Sequence, residues 1–286
     1  MTAKGRVYLR LGRVSNLPTV WTNVVAGVFL AGATPRPATL VPLCAAASLF
    51  YVGGMFLNDA FDREIDARER PERPIPAGLV SALEVRGVGF GMLVAGIGIV
   101  ALISPRFGPL ASAIGLAVAI VVYDAWHKGN PASPALMGLC RVLVYVTAAL
   151  AVSDRLGAAV TAGALCLFAH LIGLSYVAKQ ENLSVVRNLW PLGFVVVPFV
   201  YGAPIALGSP VGAAVYAALL FSVTHAISLL RRRGPGHIPR AVTGLIAAIS
   251  LVDALLVAGT GAGTAALLVA LGWPLTRVLQ RWVPGT

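Results

Sequence analysis

Residues 58–66 read Asn58-Asp59-Ala60-Phe61-Asp62-Arg63-Glu64-Ile65-Asp66, and residues 67–78 continue as Ala67-Arg68-Glu69-Arg70-Pro71-Glu72-Arg73-Pro74-Ile75-Pro76-Ala77-Gly78. Asp59, Asp62, Glu64, Asp66, Glu69 and Glu72 are six of the 11 acidic residues in a chain that is 58% hydrophobic and 12% charged. On a helix Asp59, Asp62 and Asp66 stand at i, i+3 and i+7, and Asn58 and Asp62 at i and i+4, so the three aspartates share one face. A face of hard oxygen ligands suits Mg²⁺, which keeps several waters and is usually held by one or two carboxylates together with substrate phosphate. Arg63, Arg68, Arg70 and Arg73 add forked donors for the same anion. A solvated, salt-bridged loop beside a membrane would be as charged. The spacing and the apolar surroundings favour a site.

Working outward, so apolar a chain lacks the polar residues to cover a soluble globule, and it reads as a membrane protein. Apolar stretches of about span length fall at 14–33, 39–58, 82–103, 108–126, 133–152, 157–178, 188–207, 211–230, 240–259 and 262–280. The expectation is an all-α polytopic bundle of about nine spans, ten if the last stretch crosses separately, around a central cavity open to the cytoplasmic side. Residues 1–286 read as a single membrane domain, with no signal peptide evident, because Lys4, Arg6, Arg10 and Arg13 precede a full-length span.

The net charge of +11 raises the question of nucleic acid, which the placement of the charges answers. With the N-terminus in the cytoplasm, Arg36, Arg106 and Arg155 fall in outside loops and Arg141 within a span. The rest of the 22 basic residues lie on the inside. The positive-inside rule therefore predicts a cytoplasmic N-terminus and cytoplasmic motif loops, as in an integral protein of a cell inner membrane. The basic excess is topological, and no nucleic-acid partner is expected. Cys44, Cys140 and Cys166 lie in apolar spans without metal-ligand spacing.

Asn-Asp-x-x-Asp-x-x-x-Asp at the cytoplasmic end of a second span, followed by the Arg70–Gly78 block, resembles the first aspartate-rich motif of the UbiA superfamily of intramembrane prenyltransferases. The resemblance implies Mg²⁺-dependent transfer of an isoprenoid from a prenyl diphosphate to a lipophilic acceptor. Asp59, Asp62 and Asp66 would hold metal, with Asn58, Arg68 and Arg73 at the diphosphate. Asn23 in the first span resembles an asparagine that the family turns toward its pocket, although an Asn bridging two helices is as consistent with the sequence.

Span four ends in Tyr123-Asp124-Ala125-Trp126-His127-Lys128. It is similar to the family's Tyr-x-x-x-Lys loop, one residue longer, and makes Tyr123 and Lys128 substrate-binding candidates; His127 has no evident partner. Arg141, deep in span five within Gly138-Leu139-Cys140-Arg141, is costly in lipid and carries a functional expectation by default. It could pair with Asp124, with an aspartate of the first motif or with substrate phosphate, and it joins the three aspartates as a catalytic candidate.

The departure from the family comes after span six, where a second aspartate-rich motif is expected. Lys179 and Glu181 stand there instead, with no aspartate between Asp154 and Asp253. Either Lys179 neutralises the diphosphate in place of a second metal, or Glu181 with Asn182 holds a weaker one, or the usual chemistry is lost. Asp253, inside span nine, could position or deprotonate an acceptor or pair with His225. Two rivals to transfer remain: an intramembrane terpene cyclase that needs no acceptor, and a non-catalytic carrier of prenyl diphosphate.

Overall fold

A computed structural model describes residues 3–179, 190–232, 234 and 236–285. Its regular structure is helical: α1 (Ala3–Leu11), α2 (Leu17–Leu30), α3 (Pro37–Phe61), α4 (Arg63–Glu69), α5 (Ala82–Ile103), α6 (Phe107–Trp126), α7 (Ser133–Val152), α8 (Ala158–Lys179), α9 (Val197–Gly208), α10 (Pro210–Arg232), α11 (His237–Ala258), α12 (Gly263–Ala270) and α13 (Gly272–Leu279). Short 3₁₀ turns at Val14–Asn16 and Trp190–Val196 lead into α2 and toward α9.

Among the described residues, seven helices are long and apolar enough to cross a membrane: α3, α5, α6, α7, α8, α10 and α11. The other three apolar stretches are shorter helices, which refines the expected nine or ten spans. The first is a 3₁₀ turn followed by α2, with Pro18 in its first turn. The seventh divides into a 3₁₀ turn and the 12-residue α9, with Pro198 at its start and Pro204 inside it. The last breaks at Leu271 into the 8-residue α12 and α13. Proline removes a backbone donor and crowds the preceding turn, so long apolar runs that carry it need not form one continuous helix.

Burial separates helices that face the protein from those that face lipid. In α11, 83% of the apolar window is buried, against 22% in α5. α11 is therefore the central pillar, packed by α2, α8, α10 and α12, while α5 lies outside against α3. Small residues permit the closest approaches. A Cβ on Gly27 of α2 would stand 2.8 Å from the Tyr145 carbonyl oxygen and 3.0 Å from Ala148 Cβ on α7. Gly27→Ala is expected to destabilise the fold by about 1–3 kcal/mol, the usual range for overpacking. Thermal unfolding in detergent checks this, and an unchanged midpoint would show that α2 and α7 separate freely.

At the motif end, Ser81 caps α5 by accepting from the Glu84 backbone N–H at 3.1 Å, as its capping-box spacing predicts. The Glu84 carboxylate turns back to α1, where it meets Lys4 Nζ at 2.7 Å and receives the Tyr8 hydroxyl hydrogen bond. Beneath these contacts a small core of Leu11, Phe56, Ala60, Val80 and Val85 includes Ile75 at its edge. This core anchors the loop that carries Arg73.

Candidate active site

The first motif runs around a corner. α3 ends at Phe61, Asp62 is the hinge residue, and α4 resumes at Arg63, with Asp62 N–H donating to Asn58 O at 2.9 Å and Asp66 N–H to Asp62 O at 2.8 Å. These i to i−4 bonds carry helical register through the bend. One Arg73 nitrogen, Nη1, reaches both Asp59 Oδ1 at 3.2 Å and Asp66 Oδ2 at 2.7 Å, so these two carboxylates do lie on one side.

A cavity of about 480 Å³ opens beside this corner. Its polar wall includes Asn58, Asp62, Asp66, Arg70, Arg73 and Lys128, and its inner wall is largely apolar, with Phe50, Leu116, Val144, Leu171 and Ile249. The Asp62 carboxyl faces His127 Nε2 at 3.4 Å and Lys128 Nζ at 3.6 Å. Burial works against its ionisation, but the hydrogen bond from His127 and the positive charges of Lys128 and Arg73 prevail and hold it below its ordinary value of 3.8. His127 thus has the partner that its sequence neighbourhood did not reveal. Its other ring nitrogen, Nδ1, faces the Asp124 carbonyl oxygen at 3.3 Å, and its ring stacks on Tyr123 with centroids 5.0 Å apart.

Among the described residues no three His, Cys, Asp or Glu side chains form a ready metal cage. The donor chemistry still fits a hard cation bound together with a diphosphate. Asp62 and Asp66 are buried carboxylates on the cavity wall, and their contacts with His127, Lys128 and Arg73 use a single oxygen of each, Oδ2. One or two carboxylates plus substrate phosphate and water are what Mg²⁺ requires. Asp59 is tied to cations instead, between Arg13 at 3.3 Å and Arg73, and is not part of the cavity wall.

Tyr123, Lys128, Asn58 and Arg73 reach the cavity as expected. Arg68 does not: it is exposed, its Nε donates to the Glu64 carbonyl at 3.2 Å, and Arg70, two residues on, takes a place in the wall. The helical turn decides this, since positions 66 and 70 share a face that 68 does not. The Lys179 side chain and Glu181 lie outside the described structure.

Arg141 lines the cavity without a direct carboxylate partner among the described residues. It pairs neither with Asp124 nor with a first-motif aspartate. Its Nη1 donates to Asn23 Oδ1 at 2.8 Å and its Nη2 to Thr19 Oγ1 at 3.2 Å, and its guanidinium lies 5.4 Å from the centre of the Tyr51 ring. Asn23 is fully buried behind it, a bridge and not a cavity residue. Its Nδ2 donates to both oxygens of Asp253, at 3.0 and 2.8 Å, and the Tyr145 hydroxyl donates to Oδ1 of the same carboxylate. Asp253 has no contact with His225, which is exposed and stacks on Phe221. Buried and off the cavity wall, Asp253 is the counter-ion of Arg141 at one remove, and an acceptor in the cavity does not reach it.

Arg13 and Asp124 are cavity residues that sequence reasoning did not select, while Arg70, named among the anion's donors, does reach the wall. Arg13 is held at φ 43°, ψ 45°, a left-handed conformation rare outside glycine, at the turn into α2. That geometry turns its guanidinium onto Asp59 and the Met55 sulfur.

A sequence model of the UbiA prenyltransferase family matches residues 19–252. The chain is 33% identical over 207 residues to digeranylgeranylglyceryl phosphate synthase of Methanopyrus kandleri, covering 71% of this chain and 72% of the relative. A UbiA homologue from Aeropyrum pernix K1 superposes with a TM-score of 0.67 at 15% identity, over 88% of this chain and 98% of the other. A UbiA homologue from Archaeoglobus fulgidus, bound to GPP and Mg²⁺, superposes with a TM-score of 0.62 at 15% identity, over 92% and 99%.

Proposed function

The chain belongs to the UbiA prenyltransferase family and is an integral multi-pass membrane prenyltransferase, and from that premise we propose that it moves a geranylgeranyl group from its diphosphate to geranylgeranylglyceryl phosphate. One observation carries this reading: a single largely apolar cavity bears two cationic sites. At one, Arg70, Arg73 and Lys128 surround Asp62 and Asp66. At the other, Arg141 lies eight residues beyond the first residue of α7, about 12 Å along the helix axis. An acceptor that carries its own phosphate needs a second cation, and the Methanopyrus kandleri relative is a synthase of such a lipid. The motif end faces the cytoplasm in this reading, because that end carries most of the basic residues.

Asp62 and Asp66 would hold Mg²⁺, which when bound neutralises and polarises the leaving diphosphate. Arg73, Arg70 and Lys128 are already aimed at the charge that develops on that group, so no reorganisation is needed as the bond breaks. The apolar walls exclude water that would otherwise capture the allylic cation. Arg141 holds the acceptor by its phosphate and so places the acceptor hydroxyl near the reacting carbon.

The test is turnover by protein in detergent with geranylgeranyl diphosphate, geranylgeranylglyceryl phosphate and Mg²⁺. The expected result is the diether in equal amount to released pyrophosphate, with neither formed when the acceptor is replaced by one lacking the phosphate. Cyclic hydrocarbon formed without acceptor would overturn transfer in favour of a cyclase. Binding of the diphosphate without any turnover would favour a carrier.

A further inference from the structure

Asp124 lies in the last turn of α6, is 3% exposed, and lines the cavity. Asn58 Nδ2 donates to its Oδ1 at 3.3 Å, while its Oδ2, shut off from solvent, has no hydrogen-bond donor among the described residues. Leaving a buried polar atom unpaired costs about 1–3 kcal/mol, and more for a charged group, so packing alone gives no reason to keep this one. Among the described residues, the charged and titratable groups around it are Arg13 before α2, Asp59 and Asp62 at the end of α3, Cys140 on α7, Tyr123 beside it and His127, whose Nδ1 lies 3.3 Å from the Asp124 carbonyl oxygen.

Among the described residues, the other carboxylates near the cavity are engaged. Asp62 faces His127 and Lys128, Asp66 is bonded to Arg73, Asp59 lies between Arg13 and Arg73, and Asp253 is sealed behind Arg141. The hydrogen bond from Asn58 joins Asp124 to the α3 turn that carries Asp62, so this carboxyl group lies beside the end of the cavity where the diphosphate would bind.

We propose that Asp124 is the base for the acceptor. As the C1–O bond of the prenyl diphosphate breaks, its electron pair leaves on the diphosphate, the acceptor hydroxyl oxygen bonds to C1, and the hydroxyl proton passes to Asp124 Oδ2. The products are an ether, pyrophosphate and a protonated Asp124 that later returns its proton to water. This assignment rests on transfer to a hydroxyl acceptor, as argued above. Asn58 is the positioning residue that fixes the carboxylate through Oδ1 and leaves Oδ2 to the substrate.

Asp124→Asn keeps the size of the side chain and the oxygen that Asn58 addresses, but removes the base. The expected result is a kcat for diether formation lower by 10²–10⁴-fold, the span typical of a lost general base. KM for geranylgeranyl diphosphate should stay within about twofold and the thermal midpoint should not fall. The acid limb of the wild-type kcat–pH profile should also vanish. A variant whose kcat stays within threefold overturns the assignment. So does one that loses diphosphate affinity and thermal stability along with turnover, because Asp124 would then serve only to hold Asn58. If the wild-type protein itself makes no ether, transfer to this acceptor fails and the role of Asp124 falls with it; an active wild type beside an active Asp124→Asn refutes only the base.

Discussion

Asp62→Ala is expected to lower kcat/KM for prenyl transfer by about 10³-fold, equivalent to about 4 kcal/mol of transition-state stabilisation. Asp62 is where the contacts of the site converge: His127 at 3.4 Å, Lys128 at 3.6 Å, and a place on the cavity wall at the corner between α3 and α4. Removing it leaves two donors without their acceptor and takes away a carboxylate that would hold Mg²⁺. Its depressed titration also sets the pH window. A carboxyl whose folded value lies below 3.8 contributes fully above that value and is lost as pH falls through the lower folded one. Asp62 is therefore ionised throughout the neutral range. The paired measurement is Arg68→Ala, expected to stay within threefold of wild type, because Arg68 is exposed and outside the cavity wall. Steady-state kinetics on both variants decide the matter: a loss under tenfold in Asp62→Ala, or a larger loss in Arg68→Ala, would relocate the diphosphate site.

The second large effect is on stability. Asp253→Ala should destabilise the protein by about 3–5 kcal/mol, the usual consequence of removing one member of a buried charged network. The substitution would leave the Asn23 amide and the Tyr145 hydroxyl without their acceptor, and Arg141 without its nearest compensating charge. Unfolding in detergent of Asp253→Ala, Arg141→Met and the double variant forms a cycle. A coupling of more than about 1 kcal/mol supports one network running through Asn23. Effects that add within about 0.5 kcal/mol would show that Asp253 and Arg141 act independently. Arg141→Met should in addition raise KM for the phosphate-bearing acceptor, a change that Asp253→Ala produces only as far as Arg141 shifts.

What local spacing decides was legible in the chain. The i, i+4 step from Asn58 to Asp62 and the next to Asp66 placed two of the three aspartates and the asparagine at one cavity even across the α3–α4 bend, because backbone bonds from Asp62 to Asn58 and from Asp66 to Asp62 preserve the helical register, whereas Asp59 falls off the cavity wall. The Ser81 cap and the apolar stretches were equally readable, since each depends on residues within a turn or on composition alone. Arg68 was a different matter. Its charge was visible, but which of two arginines faced inward followed from the phase of α4, and that phase is set by the anchoring of Asp66 on Arg73.

Only the tertiary structure could choose partners across the chain. Asn23 and Asp253 are 230 positions apart and meet because α2 and α11 pack side by side, which converts two separate pocket candidates into a buried brace behind Arg141. Arg13 joins the site through a left-handed turn that no propensity favours. Asp124 looked like one member of an interfacial cluster until Asn58 was seen to occupy one of its oxygens and nothing described the other. The sequence by itself determined a membrane-embedded helical bundle, because composition and helical period are local quantities, and its aspartate-rich stretch resembled the first motif of the UbiA prenyltransferases. The tertiary structure decided which cations, which asparagine and which carboxylate oxygen meet in the cavity, because helix packing brings distant positions to the same few ångströms and covers others that the sequence leaves equally eligible.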